Sequence, residues 1–155
     1  MIYFTSDWHL YHENVLTFAN RPCSNLEEMH RLLINNYNST VSECDTCYFG
    51  GDIGFADIHL VKLVISQLNS SNKILILGNH DKRTLTAYSK MGFNAVLNSA
   101  VFYYGNKRIS ISHCPLIGKY REDTSMYKVQ ENWHGETRPN SIKFCTSSWA
   151  RPQSK

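Results

Sequence analysis

Three observations predict a single α/β domain. Short apolar runs of strand length alternate with stretches of helical periodicity. One run, KILILG at 73–78, is aliphatic at consecutive positions, as a strand covered on both faces requires. Several runs end in Asp, Asn and His, at the place where an α/β sheet gathers its ligands.

In chain order, IYFTS at 2–6 reads as the first strand. NLEEMHRLLINNYN at 25–38 sets Leu26, Met29, Leu32, Leu33 and Tyr37 at helical spacing, with Ser24 as the expected N-cap. TCYFG at 46–50 is a second strand, and ADIHLVKLVISQLN at 56–69 a second helix with Leu60, Leu63, Val64 and Leu68 on one face. After KILILG come a short helix near 83–90 and strands at 93–97, 99–104 and 107–112, the last two turned by Gly105-Asn106. Beyond residue 115 the periodicity fades, and 150–155 reads as a loose tail. No repeat, linker or low-complexity tract divides the chain, so one domain is expected over 1–155.

Composition narrows the function classes. With 42% hydrophobic and 19% charged residues, the chain is built to bury a core rather than to stay disordered. A formal charge of +3, dispersed along the sequence, suits a phosphate-bearing ligand but forms no stripe for duplex nucleic acid. Five scattered cysteines, with no export signal ahead of them, imply reduced thiols. Cys44 and Cys47 form a CxxC, but no second pair completes a zinc site. No segment reaches the roughly 18 apolar residues of a membrane span. A soluble, cytoplasmic protein without a membrane partner is expected; oligomeric state has no signature in the sequence.

The strand ends carry the chemistry. The first ends in Ser6-Asp7-Trp8-His9, the second in Gly50-Gly51-Asp52, the third in Gly78-Asn79-His80-Asp81, and the hairpin in Ser112-His113-Cys114-Pro115. Burying these groups is unfavourable unless they are paired or bound to metal. Imidazoles, carboxylates and one amide oxygen make the mixed N/O set that suits manganese, iron, nickel, zinc or cobalt, and a central aspartate can bridge two ions. The absence of thiolates argues against a purely structural zinc site. Two divalent ions acting on a phosphoester, with manganese the expected activator, are the reading that follows.

The ordered set DxH at Asp7-Trp8-His9, GD at Gly51-Asp52, GNHD at 78–81 and the later His113 resembles the calcineurin-like metallophosphoesterases. The longer stretches TSDWHLYHENVL, RPCSNLEEM and SHCPL resemble a compact subgroup of small bacterial and bacteriophage phosphoesterases. The resemblance runs from Asp7 to about Arg138. It implies two packed mixed β-sheets flanked by helices, with the active site at the strand ends. It also implies that Asp7 and His9 bind a first metal, Asp52 bridges, and Asn79 and His113 bind a second. His80 would then stand at the leaving-group oxygen, with Asp81 orienting its ring.

The chain departs from the family at its closing motif. Where the family has GHxH, this sequence reads Trp133-His134-Gly135-Glu136-Thr137-Arg138. Aligned on Gly135, Glu136 replaces the first histidine and Arg138 the second; an arginine cannot ligate but can hold a phosphate oxygen. Slipped by two residues, His134 and Glu136 form an HxE pair with the same spacing. Glu136 is a ligand candidate in either register. His12 is a candidate phosphate contact, as is Asn79, while Arg21 reads as a loop contact and His30 and His59 as solvated or locally paired helix residues.

Two functions follow. One is a metal-dependent phosphomonoesterase or phosphodiesterase acting on a small phosphorylated molecule or nucleotide. The alternative is a weak or inactive relative that binds and sequesters a phosphate-bearing ligand or partner.

Overall fold

A computed structural model describes residues 1–104 and 106–114, together with two later strands at 126–129 and 143–144. His134, Glu136, Arg138 and the tail at 150–155 lie outside the described residues. The architecture is mixed α/β, with two sheets and flanking helices.

The larger sheet is parallel at every described pairing. Strands β1 (Ile2–Thr5), β2 (Thr46–Phe49), β3 (Asn72–Ile76), β4 (Ala95–Leu97) and β8 (Lys143–Phe144) lie in the order β4-β3-β2-β1-β8. The smaller sheet, β5 (Ser99–Tyr104), β6 (Lys107–Ser112) and β7 (Met126–Val129), pairs antiparallel across β5-β6 and parallel across β6-β7. Among the described residues only the smaller sheet is mixed, where the family resemblance implied two mixed sheets. Residues 99–104 and 107–112 form the expected hairpin strands, with Tyr104 opposite Lys107.

Alternation along the strands builds two cores. Tyr3, Cys47, Phe49 and Leu75 point to the helix side, where they join Trp8, Leu33, Tyr37 and Val61. Their neighbours Phe4, Tyr48 and Ile76 point the other way and pack on Ala100, Phe102 and Ile111 of the smaller sheet. Phe4 and Phe102 stack with ring centroids 5.8 Å apart, and Tyr48 and Phe102 stack at 6.1 Å. Pairs of this kind contribute about 0.5–1.5 kcal/mol beyond their buried area. Both faces of the parallel strands are thus covered, which is why Ile74, Leu75 and Ile76 of β3 are aliphatic at consecutive positions.

Among the described residues the helices are α1 (Val15–Phe18), α2 (Leu26–Thr40), α3 (Ile58–Ile65) and α4 (Leu85–Met91). Helix α2 is capped by Asn25, one residue later than expected. The Asn25 side chain accepts from the Glu28 N–H at 2.9 Å, while the Glu28 carboxylate reaches back to the Ser24 N–H at 2.8 Å. Helix α3 also corrects the expectation. Val61, Val64 and Ile65 are its buried residues, whereas Leu60 and Leu63 are 42% and 59% exposed. Its sequence, IHLVKLVI, is apolar on more than one face, so periodicity alone could not choose between them. Leu68 is buried beyond the helix end. Among the described residues, no helix is long and apolar enough to cross a membrane.

Candidate metal centre

Parallel strands end at the same edge, so the loops after β1, β2 and β3 meet there. The first two continue side by side: the Asp7 N–H donates to the Gly51 carbonyl, the His9 N–H to the Asp52 carbonyl and the Leu10 N–H to the Ile53 carbonyl, at 2.9–3.1 Å. Asp7, His9 and Asp52 adopt left-handed backbone conformations, with φ of 55°, 48° and 53°. For residues with a Cβ this is unfavourable by about 1–2 kcal/mol each, and such strain gathers at functional sites. It turns Asp7 and His9 toward the crevice while Trp8, between them, is buried against Tyr37 and Phe49.

The loop is fastened from behind. Arg21 is buried, and its guanidinium donates to the carbonyl oxygens of Asp7 and Trp8. Burial lowers its pKa to about 10, a fall partly offset by Asp7, so it stays charged at neutral pH. Arg21 is therefore a structural loop contact.

Asp81 has a different role from the one the resemblance implied. Its carboxylate accepts the backbone N–H groups of Asp52 at 2.7 Å, Ile53 at 3.1 Å and Gly78 at 2.8 Å, and makes no hydrogen bond to the His80 ring. It ties the β2 and β3 loops together instead of orienting that ring. This close approach explains two glycines. Gly51 has φ +105°, and a Cβ there would sit 2.6 Å from both the Gly78 nitrogen and the His113 Nδ1. A Cβ on Gly78 would collide with the Asp52 carboxylate.

The side chains fall into two sets that share Asp52. In the first, the ligand atoms of Asp7, His9 and Asp52 all lie within 4.8 Å of one another. His9 Nε2 is 3.6 Å from Asp7 Oδ1 and 3.8 Å from Asp52 Oδ2, too far for hydrogen bonds but suited to a shared ion. In the second, His113 Nε2 lies 2.7 Å from Asn79 Oδ1 and 3.7 Å from Asp52 Oδ2.

The His113 ring gives the sharpest indication. Its Nδ1 is 2.8 Å from the Gly50 carbonyl, which can only accept, so Nδ1 carries a proton and donates. A neutral ring then presents a lone pair at Nε2 toward an amide oxygen and a carboxylate oxygen. These facing lone pairs need a proton or a metal ion between them. A histidine whose other nitrogen is pinned by a backbone carbonyl is also the arrangement that metal-ligating imidazoles favour. The donor set therefore fits divalent cations.

Around these sets lies a rim. His80 is exposed at the crevice and anchored through its backbone N–H to Asp52 Oδ1 at 3.0 Å. His12 stands 5.9 Å from His9, ring centre to ring centre; burial, with the His9 and His80 imidazoles, lowers its pKa. Phe18 and Phe55 complete the rim, packed on these histidines. No sequence signal marked either phenylalanine, because both are placed by loops and helix ends without periodicity. Of the sequence-predicted site residues, Asp7, His9, His12, Asp52, Asn79, His80, Asp81 and His113 come together here.

No family model matches the chain. It is 40% identical over 82 residues to uncharacterized protein MJ1445 of Methanocaldococcus jannaschii; the match covers 52% of this chain and 47% of that protein. It also resembles the crystal structure of AQ665, a protein of unknown function from Aquifex aeolicus. That likeness has a TM-score of 0.59 and 27% identity, and covers 80% of this chain and 66% of the other. The chain thus spans about half the length of the curated relative it matches.

Proposed function

We propose that the protein is a metal-dependent phosphoesterase of the calcineurin-like kind, its two-sheet fold a metallophosphoesterase-like sandwich. The observation that carries this reading is the sharing of Asp52 between two donor sets, with His113 Nε2 directed at Asn79 Oδ1 and Asp52 Oδ2. Asp7 and His9 would hold one divalent ion, Asn79 and His113 a second, and Asp52 both. Manganese, iron, nickel, zinc and cobalt all suit this N/O set. When bound, such ions supply Lewis acidity toward phosphoryl oxygens and lower the pKa of a bound water.

The chain's own residues supply the rest. His80, exposed at the crevice, gives a proton or a hydrogen bond to the leaving-group oxygen. His12 at the rim contacts a non-bridging phosphate oxygen. Asp81 and Arg21 act at one remove, by fixing the backbone from which the ligands project. The substrate is a small phosphorylated molecule or nucleotide, since charge on the chain is modest and dispersed.

Metal content per chain, measured beside hydrolysis of bis(p-nitrophenyl) phosphate with manganese, nickel and magnesium in turn, tests the proposal. About two ions per chain with manganese-supported turnover are expected, and Asp52→Asn should lose both ions and the turnover. Ions bound without turnover under any metal would refute hydrolysis in favour of a phosphate-binding relative. One ion or none, again without turnover, would refute the binuclear site itself.

A further inference from the structure

Phe18 and Phe55 have no part in holding a metal or a phosphate, yet they stand against the histidines of the site. Phe18 closes α1 and is 63% exposed; Phe55 follows Asp52 by three residues and is 40% exposed. The Phe55 ring lies nearly parallel to that of His9, with centroids 5.6 Å apart and planes 9° apart. It is also 4.4 Å from the His12 ring and 5.4 Å from the His80 ring. Phe18 meets His9 edge-on at 6.1 Å and His12 at 5.7 Å. One border of a polar crevice is thus made of aromatic rings contributed by two separate segments.

Phosphoryl oxygens gain nothing from such a wall, since phenyl faces carry partial negative charge. A planar ring does gain, because stacking on an aromatic side chain is available to any π face. Resting on the phosphoesterase reading, we infer that Phe18 and Phe55 form a subsite for a planar aromatic group carried by the phosphoester, a nucleobase or an aryl ring. They are the specificity-determining residues of the site. Their position directly beside His9 and His80 puts the aromatic group next to the reacting phosphorus, on the side where His80 meets the ester oxygen.

The test compares ligands that differ only in the ring, by calorimetry on the manganese-loaded protein. Phenylphosphonate is set against methylphosphonate, and adenosine 5′-monophosphate against ribose 5-phosphate. The ring-bearing member should bind roughly ten- to a hundredfold more tightly. A gain only in the second pair identifies a nucleobase site; a gain only in the first, or in both, identifies a site open to aryl groups. In Phe18→Ala and Phe55→Ala the ratio within each pair should fall toward one, and Phe55→Trp should restore it. Equal binding within both pairs, or no binding of any ligand, overturns the inference. So does a Phe55→Ala protein that weakens all four ligands alike, which would make Phe55 a mere brace for His9. Aromatic preference without hydrolysis refutes the phosphoesterase and leaves the subsite standing, whereas hydrolysis without aromatic preference does the reverse.

Discussion

The Asp81 carboxylate accepts the backbone N–H of Asp52 at 2.7 Å, so one acidic residue sets the position of another that both donor sets share. Ile53 and Gly78 donate to the same carboxylate. Hydrogen bonds to a charged acceptor are worth about 1.5–3 kcal/mol each, and a buried amide left without one is unfavourable. Asp81→Asn turns one acceptor atom into a donor facing N–H groups. It should destabilise the protein by about 3 kcal/mol in guanidinium denaturation and weaken metal binding at the same time. Unchanged stability with lost turnover would instead place Asp81 on the His80 ring.

Arg21 acts on the other side of the centre. It bonds the carbonyls of Asp7 and Trp8, which makes it a positioning residue for the strained Asp7–His9 turn. Arg21→Met keeps the apolar stem and removes the donors. The expected result is a loss of about 2–3 kcal/mol in stability and at least tenfold weaker manganese binding, read by calorimetry. If metal affinity fell without any loss of stability, Arg21 would have to be acting on the ligands electrostatically.

Much of this candidate site was legible because its Asp, Asn and His side chains stand at the ends of apolar strands, where polar residues have no structural reason to be. Asp7, His9, Asp52, Asn79, His80, Asp81 and His113 could all be picked out on that ground, while the division of them into ligands and other roles rests on the family resemblance. The role of Asp81 could not, since its partners are backbone amides of Asp52, Ile53 and Gly78 and leave no side-chain pattern. Phe18 and Phe55 were silent for a related reason: their meaning depends on which loops the fold brings together. In the fold, the hairpin strands at 99–104 and 107–112 emerged at their expected limits. The α3 face was misread because IHLVKLVI is apolar nearly all round. Strands β7 and β8 went unseen, being short and defined by their pairing with β6 and β1.

Two glycines with left-handed backbones should respond unequally to alanine. At Gly92, φ is +112° and the nearest atom to an added Cβ is Ile65 Cγ2 at 3.4 Å, an ordinary contact. Gly92→Ala should therefore lose only the conformational term, about 1–2 kcal/mol. At Gly51 the same term is joined by collision with the Gly78 backbone and the His113 ring. Gly51→Ala should lose upwards of about 4 kcal/mol and should bind metal poorly even where it folds. Parallel urea titrations of the two variants decide it, and similar losses would mean that the β2 and β3 loops separate easily.

His30 ties stability to pH. Its sequence position read as solvated or locally paired; it is buried on α2 and paired, its Nε2 accepting the Tyr11 N–H at 3.1 Å while the two rings meet at 4.4 Å. Burial lowers its pKa from the ordinary 6.5, so the folded state resists protonation more than the unfolded state does. As pH falls through the unfolded value toward the lower folded one, the unfolded chain takes up the proton first, and stability is lost across that window. The group contributes its full share above the unfolded value, and the loss saturates below the folded one. A single such group changes stability by no more than about 1.4 kcal/mol per pH unit. Protonation would also remove the lone pair that receives Tyr11, a residue with φ +61° two positions from His9. Urea midpoints measured from pH 8 to pH 5 should therefore fall in the wild type and fall less in His30→Gln. His12, whose pKa is lowered in the same direction, adds to the slope that remains. Identical profiles for the two proteins would show that His30 is protonated equally in the folded and unfolded states.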